Sequence, residues 1–108
     1  MVNQITPQEL ADKLAAGEPV YLLDVRQSEE HAFAALPNST LIPLGDLPSR
    51  AAEVDPPPGA LLVVYCHHGI RSLTGAALLE RAGIGPAASL AGGIDAWSRL
   101  IDPKVPRY

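Results

Sequence analysis

The single cysteine of the chain, Cys66, is separated from Arg71 by four residues, His67, His68, Gly69 and Ile70, and Ser72 follows directly. An ionised thiol is a strong nucleophile, so this spacing raises the prospect of covalent catalysis. The run Leu61-Leu62-Val63-Val64-Tyr65 leads into Cys66, and beyond Ser72 the apolar spacing turns helical. A buried strand would therefore deliver the thiol to a loop that opens a helix. Unpaired N–H groups and the positive end of a helix dipole favour an anion at that place. Arg71 adds a permanent positive charge carried on a planar fork of donors, and Gly69 lets the backbone turn where a side chain would hinder it. The loop suits an anionic sulfur on Cys66 and an oxyanion approaching it. The competing reading is inert packing, because a lone cysteine is among the most buried residue types. The glycine, the arginine and the strand–loop–helix setting favour the nucleophile.

Neighbouring residues carry less. His67 and His68 invite a metal, but adjacent residues in a tight loop rarely converge on one ion, and no second Cys/His cluster supplies further ligands. No metal or cofactor is expected. The two imidazoles are expected to tune the field of the pocket or to face solvent. Asp24 and Arg26, followed by Glu29 and Glu30, fit a structural ion pair in which Arg26 fixes the next helix. His31 reads as a helix-surface residue.

The elements around these residues alternate. Thr6 caps a helix with Pro7 at its first position and Glu9 where a capping box requires it. Gly17 ends that helix, and Val20–Val25 is apolar enough for a central strand of a parallel sheet. A short helix is expected over 27–35 with Ser28 as cap, a brief strand over 40–42, and a second short helix over 45–54. Asp55-Pro56-Pro57-Pro58-Gly59 is a stiff connector before the cysteine strand. The clearest helix covers 72–82 and closes at Gly83. A fourth strand covers 87–90, and Gly92-Gly93 introduces a short helix containing Trp97. The segment 101–108 is irregular. This alternation implies an α/β fold, a small, mostly parallel sheet with helices on both faces.

The bulk properties exclude several function classes. A chain of 108 residues fits one domain, residues 1–108. With 47% hydrophobic and 19% charged residues its balance is that of a globular protein. The net charge of −4, without a basic run, speaks against a nucleic-acid surface. Apolar runs fall far short of a membrane span, no leader sequence is visible, and one cysteine cannot form an intrachain disulfide. A cytoplasmic setting is expected.

Three segments together resemble one family. Cys66-His67-His68-Gly69-Ile70-Arg71-Ser72 is similar to the active-site loop of rhodanese-type sulfurtransferases. Leu23-Asp24-Val25-Arg26, followed by Glu29-Glu30-His31 and Ile42-Pro43-Leu44, resembles the N-terminal signature of that family. Leu90-Ala91-Gly92-Gly93-Ile94-Asp95-Ala96-Trp97 resembles the C-terminal one, so the likeness spans residues 6–97. It implies a rhodanese fold in which Cys66 takes the outer sulfur of a small anionic donor such as thiosulfate. The persulfide would be held by N–H groups of residues 67–71 and passed on, with Arg71 orienting the donor oxygens or bracing the loop. Trp97 reads as core or pocket wall, and the same resemblance, which sets the double glycine near the active site, implies a place at the pocket rim. Relatives that dephosphorylate carry Cys-x5-Arg, one residue longer, so the shorter loop implies sulfur chemistry. Residues 34–39, Ala-Ala-Leu-Pro-Asn-Ser, depart from the family's Gly-His-Ile-Pro-Gly-Ala. Segment 101–108 resembles the end of rhodanese domains fused to enzymes that adenylate sulfur-carrier proteins, which implies a protein donor or acceptor. The alternatives are a sulfur relay working only with a protein partner, and a non-enzymatic rhodanese-like interaction module.

Overall fold

The computed structural model of the protein describes residues 2–108. Its sheet has five strands, all parallel, in the order β1-β5-β4-β2-β3. They comprise Asn3–Ile5 (β1), Val20–Asp24 (β2), Thr40–Leu41 (β3), Leu61–Tyr65 (β4) and Ala88–Leu90 (β5). The helices are Pro7–Ala15 (α1), Ser28–Phe33 (α2), Leu47–Arg50 (α3), Arg71–Arg81 (α4) and Gly93–Leu100 (α5). The cysteine strand β4 is the middle strand, pairing with β2 from Val20↔Leu61 to Asp24↔Tyr65 and with β5 at Val63↔Ala88 and Val64↔Ser89.

Alternation along the strands splits the core between the two faces of the sheet. Val63 and Tyr65 join Leu22, Leu90, Leu10 of α1, and Ile94 and Trp97 of α5 on one face. Leu62, Val64 and Cys66 join Leu23, Val25, Leu47 of α3, and Ala76 and Leu79 of α4 on the other. Near-continuous apolar strands are what a parallel sheet covered on both faces requires.

Local chemistry sets most boundaries. Thr6 caps α1 with the expected capping box: the Glu9 amide donates to Thr6 Oγ1 at 3.1 Å, and the Thr6 amide donates to Glu9 Oε1 at 2.9 Å. The cap of α2 is Gln27 and not Ser28, because the Gln27 amide donates to Glu30 Oε1 at 2.9 Å. That helix stops at Phe33 because Ala34 is extended, its carbonyl turned toward the Arg26 guanidinium. The expected helix over 45–54 is three short pieces, 3₁₀ turns at Leu44–Asp46 and Ala51–Glu53 flanking α3. Pro48 offers no N–H to a continuous ladder. Strand β1 was not foreseen. It is a short edge strand with two exposed residues, held by pairing Asn3↔Ala88 through Ile5↔Leu90.

In an all-parallel sheet every strand points its carboxyl end the same way, so the segments after β2, β4 and β5 converge on one edge. These segments carry Arg26, Cys66 and Gly93 respectively.

Candidate active site

Cys66 is 1% exposed at the end of β4, and its Sγ accepts the Gly69 amide at 3.2 Å and the Ser72 amide at 3.3 Å. Ser72 Oγ lies 3.5 Å from the sulfur and 2.7 Å from Ser89 Oγ, both serines being fully buried. Both amides that reach the resting sulfur come from the loop named from the sequence, Gly69 in its middle and Ser72 in the first turn of α4. Ser89 was invisible in the sequence, since only the β4–β5 pairing brings it behind the loop.

Two glycines make the loop fit. Gly69 has φ +99°, and a Cβ there would come within 3.1 Å of the Gly92 nitrogen and 3.3 Å of the Leu90 carbonyl. Gly93 has φ +63°, and a Cβ there would overlap the Cys66 and His67 carbonyls. That approach lets the first turn of α5 bind the loop: the Ile94 amide donates to the Cys66 carbonyl at 2.9 Å and the Asp95 amide to the His67 carbonyl at 3.1 Å. With carbonyls of Cys66 and His67 tied to α5, amides of Gly69 and Ser72 are turned to the sulfur. Ile70 is 73% exposed between them and lines the outside of the mouth.

Arg71 begins α4 and forks onto Glu30, Nη1 to Oε1 at 2.8 Å and Nη2 to Oε2 at 3.0 Å. The pairing with Arg71 is the main reason the Glu30 carboxyl is held down at about 2. In return the Glu30 hydrogen bonds push Arg71 further up, its proximity to Cys66 adding to them. The fork uses two N–H donors and leaves the remaining ones for an anion.

Asp24 and Arg26 are both fully buried and joined by Arg26 Nε to Oδ1 at 2.9 Å and Nη2 to Oδ2 at 2.6 Å. Arg26 also donates to the Ala34 carbonyl at 2.6 Å and to Tyr108 Oη at 2.8 Å. It fixes α2 through the backbone, as expected for a structural pair. Glu30 joins that pair through its backbone carbonyl, which accepts from Arg26 Nη1 at 3.4 Å, while its carboxylate turns toward Arg71. His31 is not a plain surface residue: its Nδ1 lies 2.8 Å from Asp24 Oδ2.

His67 and His68 stack at 3.8 Å, and the Tyr108 ring lies on His67 at 3.8 Å with 6° between planes. Burial, aided by the neighbouring His68, pushes His67 below its ordinary value. Its Nε2 is buried with no hydrogen-bond partner among the described residues, which suits a neutral ring. No second Cys/His cluster was expected near these histidines; the group that comes near them is a carboxylate, Asp95, within 4.8 Å of both. That carboxylate is already paired with Arg99 and Arg107, each at 3.1 Å. Trp97 is not at the rim: it is 7% exposed and packs among Leu10, Val63 and Leu90, because the apolar stripe of α5 turns into the core. Tyr108 was also missed, its partners lying 78 and 82 residues away in sequence. A separate cleft of about 580 Å³, lined by Gln27, Ser28, Pro43, Asp46 and Arg50 among others, includes no residue of the Cys66 loop.

Comparisons with known proteins bear on the family and the fold. The family described as Rhodanese-like domain matches residues 6–100. A sulfurtransferase of Allochromatium vinosum is 37% identical over 99 residues, covering 92% of this chain and 91% of its own. The probable adenylyltransferase/sulfurtransferase MoeZ of Mycobacterium tuberculosis is 35% identical over 106 residues, which are 98% of this chain and 27% of that protein. The crystal structure of a rhodanese-like domain protein from Staphylococcus aureus superposes with a TM-score of 0.81 at 31% identity, covering 99% of both chains.

Proposed function

The chain belongs to the rhodanese-like sulfurtransferase family, and from that premise we propose that it transfers sulfane sulfur through a persulfide on Cys66, with thiosulfate or a persulfide as donor. The observation that carries this reading is the Cys66 sulfur at the end of β4, receiving the Gly69 and Ser72 amides beside Arg71.

In the first half-reaction the Cys66 thiolate attacks the outer sulfur of thiosulfate. The new S–S bond forms as the old one breaks, and sulfite leaves with the bonding pair. Arg71, with N–H donors beyond those given to Glu30, meets the departing oxyanion. The Gly69 and Ser72 amides and the start of α4 hold the negative charge on the sulfur. In the second half-reaction an acceptor nucleophile takes the outer sulfur and the Cys66 thiolate is restored. His67, kept neutral by burial, adds no charge that would compete with Arg71 for the donor. A reducing, cytoplasmic setting belongs to this reading, because the thiol must stay available between turnovers.

A second reading, a relay that gives its sulfur only to a protein, is favoured by the likeness to MoeZ across 98% of the chain. Intact mass after incubation with thiosulfate tests both. A gain of one sulfur atom, absent in Cys66→Ser, is expected. A folded protein that gains nothing from thiosulfate or from an organic persulfide sinks both readings. Turnover to cyanide compared with turnover to a sulfur-carrier protein separates the enzyme from the relay.

A further inference from the structure

The geometry points to Tyr108 as a positioning residue that sets how Arg71 meets an anionic sulfur donor, an inference that rests on the sulfurtransferase reading. Four contacts place it. Its hydroxyl accepts from Arg26 Nη1 at 2.8 Å and donates to Glu30 Oε2 at 2.8 Å. Its ring lies flat on His67, next in sequence to Cys66, at 3.8 Å. Its other side meets the edge of Phe33 at 5.8 Å.

The direction of the hydroxyl is not a matter of choice. A guanidinium only donates, so the one Tyr108 proton must go to Glu30. The result is a polar chain from the core to the mouth, Asp24–Arg26–Tyr108–Glu30–Arg71. Glu30 Oε2 is shared between Tyr108 and Arg71, and Oε1 between the Gln27 amide and Arg71. Tyr108 therefore fixes the plane of the carboxylate on which the Arg71 fork rests. It also draws part of the charge of Oε2 away from Arg71. Without the hydroxyl, the carboxylate under the Arg71 fork keeps the Gln27 amide on Oε1 but loses the tie from Oε2 to Arg26 and the core. An arginine that must meet oxyanions at a fixed distance from a sulfur loses affinity for them when its angle is no longer defined.

Tyr108→Phe keeps the ring on His67 and removes only the hydroxyl. Two measurements read the result. The first is the rate of Cys66 alkylation by iodoacetate, an anion, relative to iodoacetamide, which is neutral. The ratio should fall roughly three- to tenfold in Tyr108→Phe while the iodoacetamide rate stays within about twofold. A merely structural role would loosen the loop and speed both reagents together. The second is the thiosulfate concentration that half-saturates persulfide formation, which should rise by a similar factor while the maximal rate changes little. An unchanged alkylation ratio overturns the inference, as does a parallel rise in both rates. Because alkylation needs no sulfur transfer, it judges Tyr108 even if no persulfide forms, and a wild-type protein that takes up no sulfur counts against the sulfurtransferase reading alone.

Discussion

Two arginines stand at the carboxyl edge of the same sheet, each forked onto a carboxylate, and burial separates what they can do. The Arg26 and Asp24 side chains are sealed from solvent, whereas the Arg71 and Glu30 side chains are 35% and 18% exposed. Around Arg26 each neighbour is supplied by the fold itself: a carboxylate two residues away, the Glu30 and Ala34 carbonyls and the Tyr108 hydroxyl. Around Arg71 the one fixed partner among the described residues is Glu30, and the side chain remains 35% exposed. Low-dielectric surroundings make the first pair expensive to break and useless for exchange. Partial exposure makes the second weaker and able to trade partners.

Breaking the inner pair should cost most. Arg26→Met takes the guanidinium away from the buried Asp24 carboxylate, leaving it the Arg26 backbone amide and His31 as partners among the described residues, and a loss of ~3–5 kcal/mol is expected in urea unfolding. Replacing both partners by apolar residues, Asp24→Leu with Arg26→Met, should cost clearly less than the single change. A double variant as unstable as the single one would remove the electrostatic explanation.

The outer pair should show the reverse balance. Arg71→Lys keeps the charge and loses the fork, and about a tenfold fall in the second-order rate of persulfide formation from thiosulfate is expected. Unfolding free energy should move by no more than ~1 kcal/mol, as for other partly exposed pairs. A stability loss near that of Arg26→Met would erase the contrast between the two sites.

The smallest effect is on pH dependence. Glu30 titrates near 4.5 when unfolded and at about 2 in the folded protein, chiefly because of Arg71. Between those values the unfolded chain binds more protons, so stability falls as pH falls through this window and is fully present above it. Glu30→Gln should flatten that part of the stability profile. An unchanged acid slope would mean that other carboxylates carry it.

The same contrast explains what the sequence revealed. The thiol strand, the Cys66-to-Arg71 spacing and the Thr6 capping box are local patterns, with partners three to six residues apart, and each was legible. The inner pair was legible for the same reason, Asp24 and Arg26 being neighbours on one turn. The outer pair was not, because Glu30 and Arg71 are 41 residues apart and either could have paired elsewhere. Tyr108 sits in a segment without periodicity, and only folding brings it over His67. Strand β1 has too few apolar residues to announce itself and exists because β5 offers it an edge. For Trp97 the core reading agrees with the structure and the rim reading does not, because proximity to the double glycine along the chain says nothing about which side of α5 faces inward.

The uniform direction of the five strands has a practical corollary. Turns that enter strands, such as the one at Gly59 before β4 and at Gly83 before β5, gather on the rim opposite Cys66. A side chain added at either glycine would meet open space, although both have positive φ. A dye, a cross-linker or a surface tether attached at an adjacent exposed position, such as Pro58, would hold the molecule by its blunt end with the thiol facing outward. Sulfur traffic could then be watched on an immobilised molecule without anything standing at the mouth.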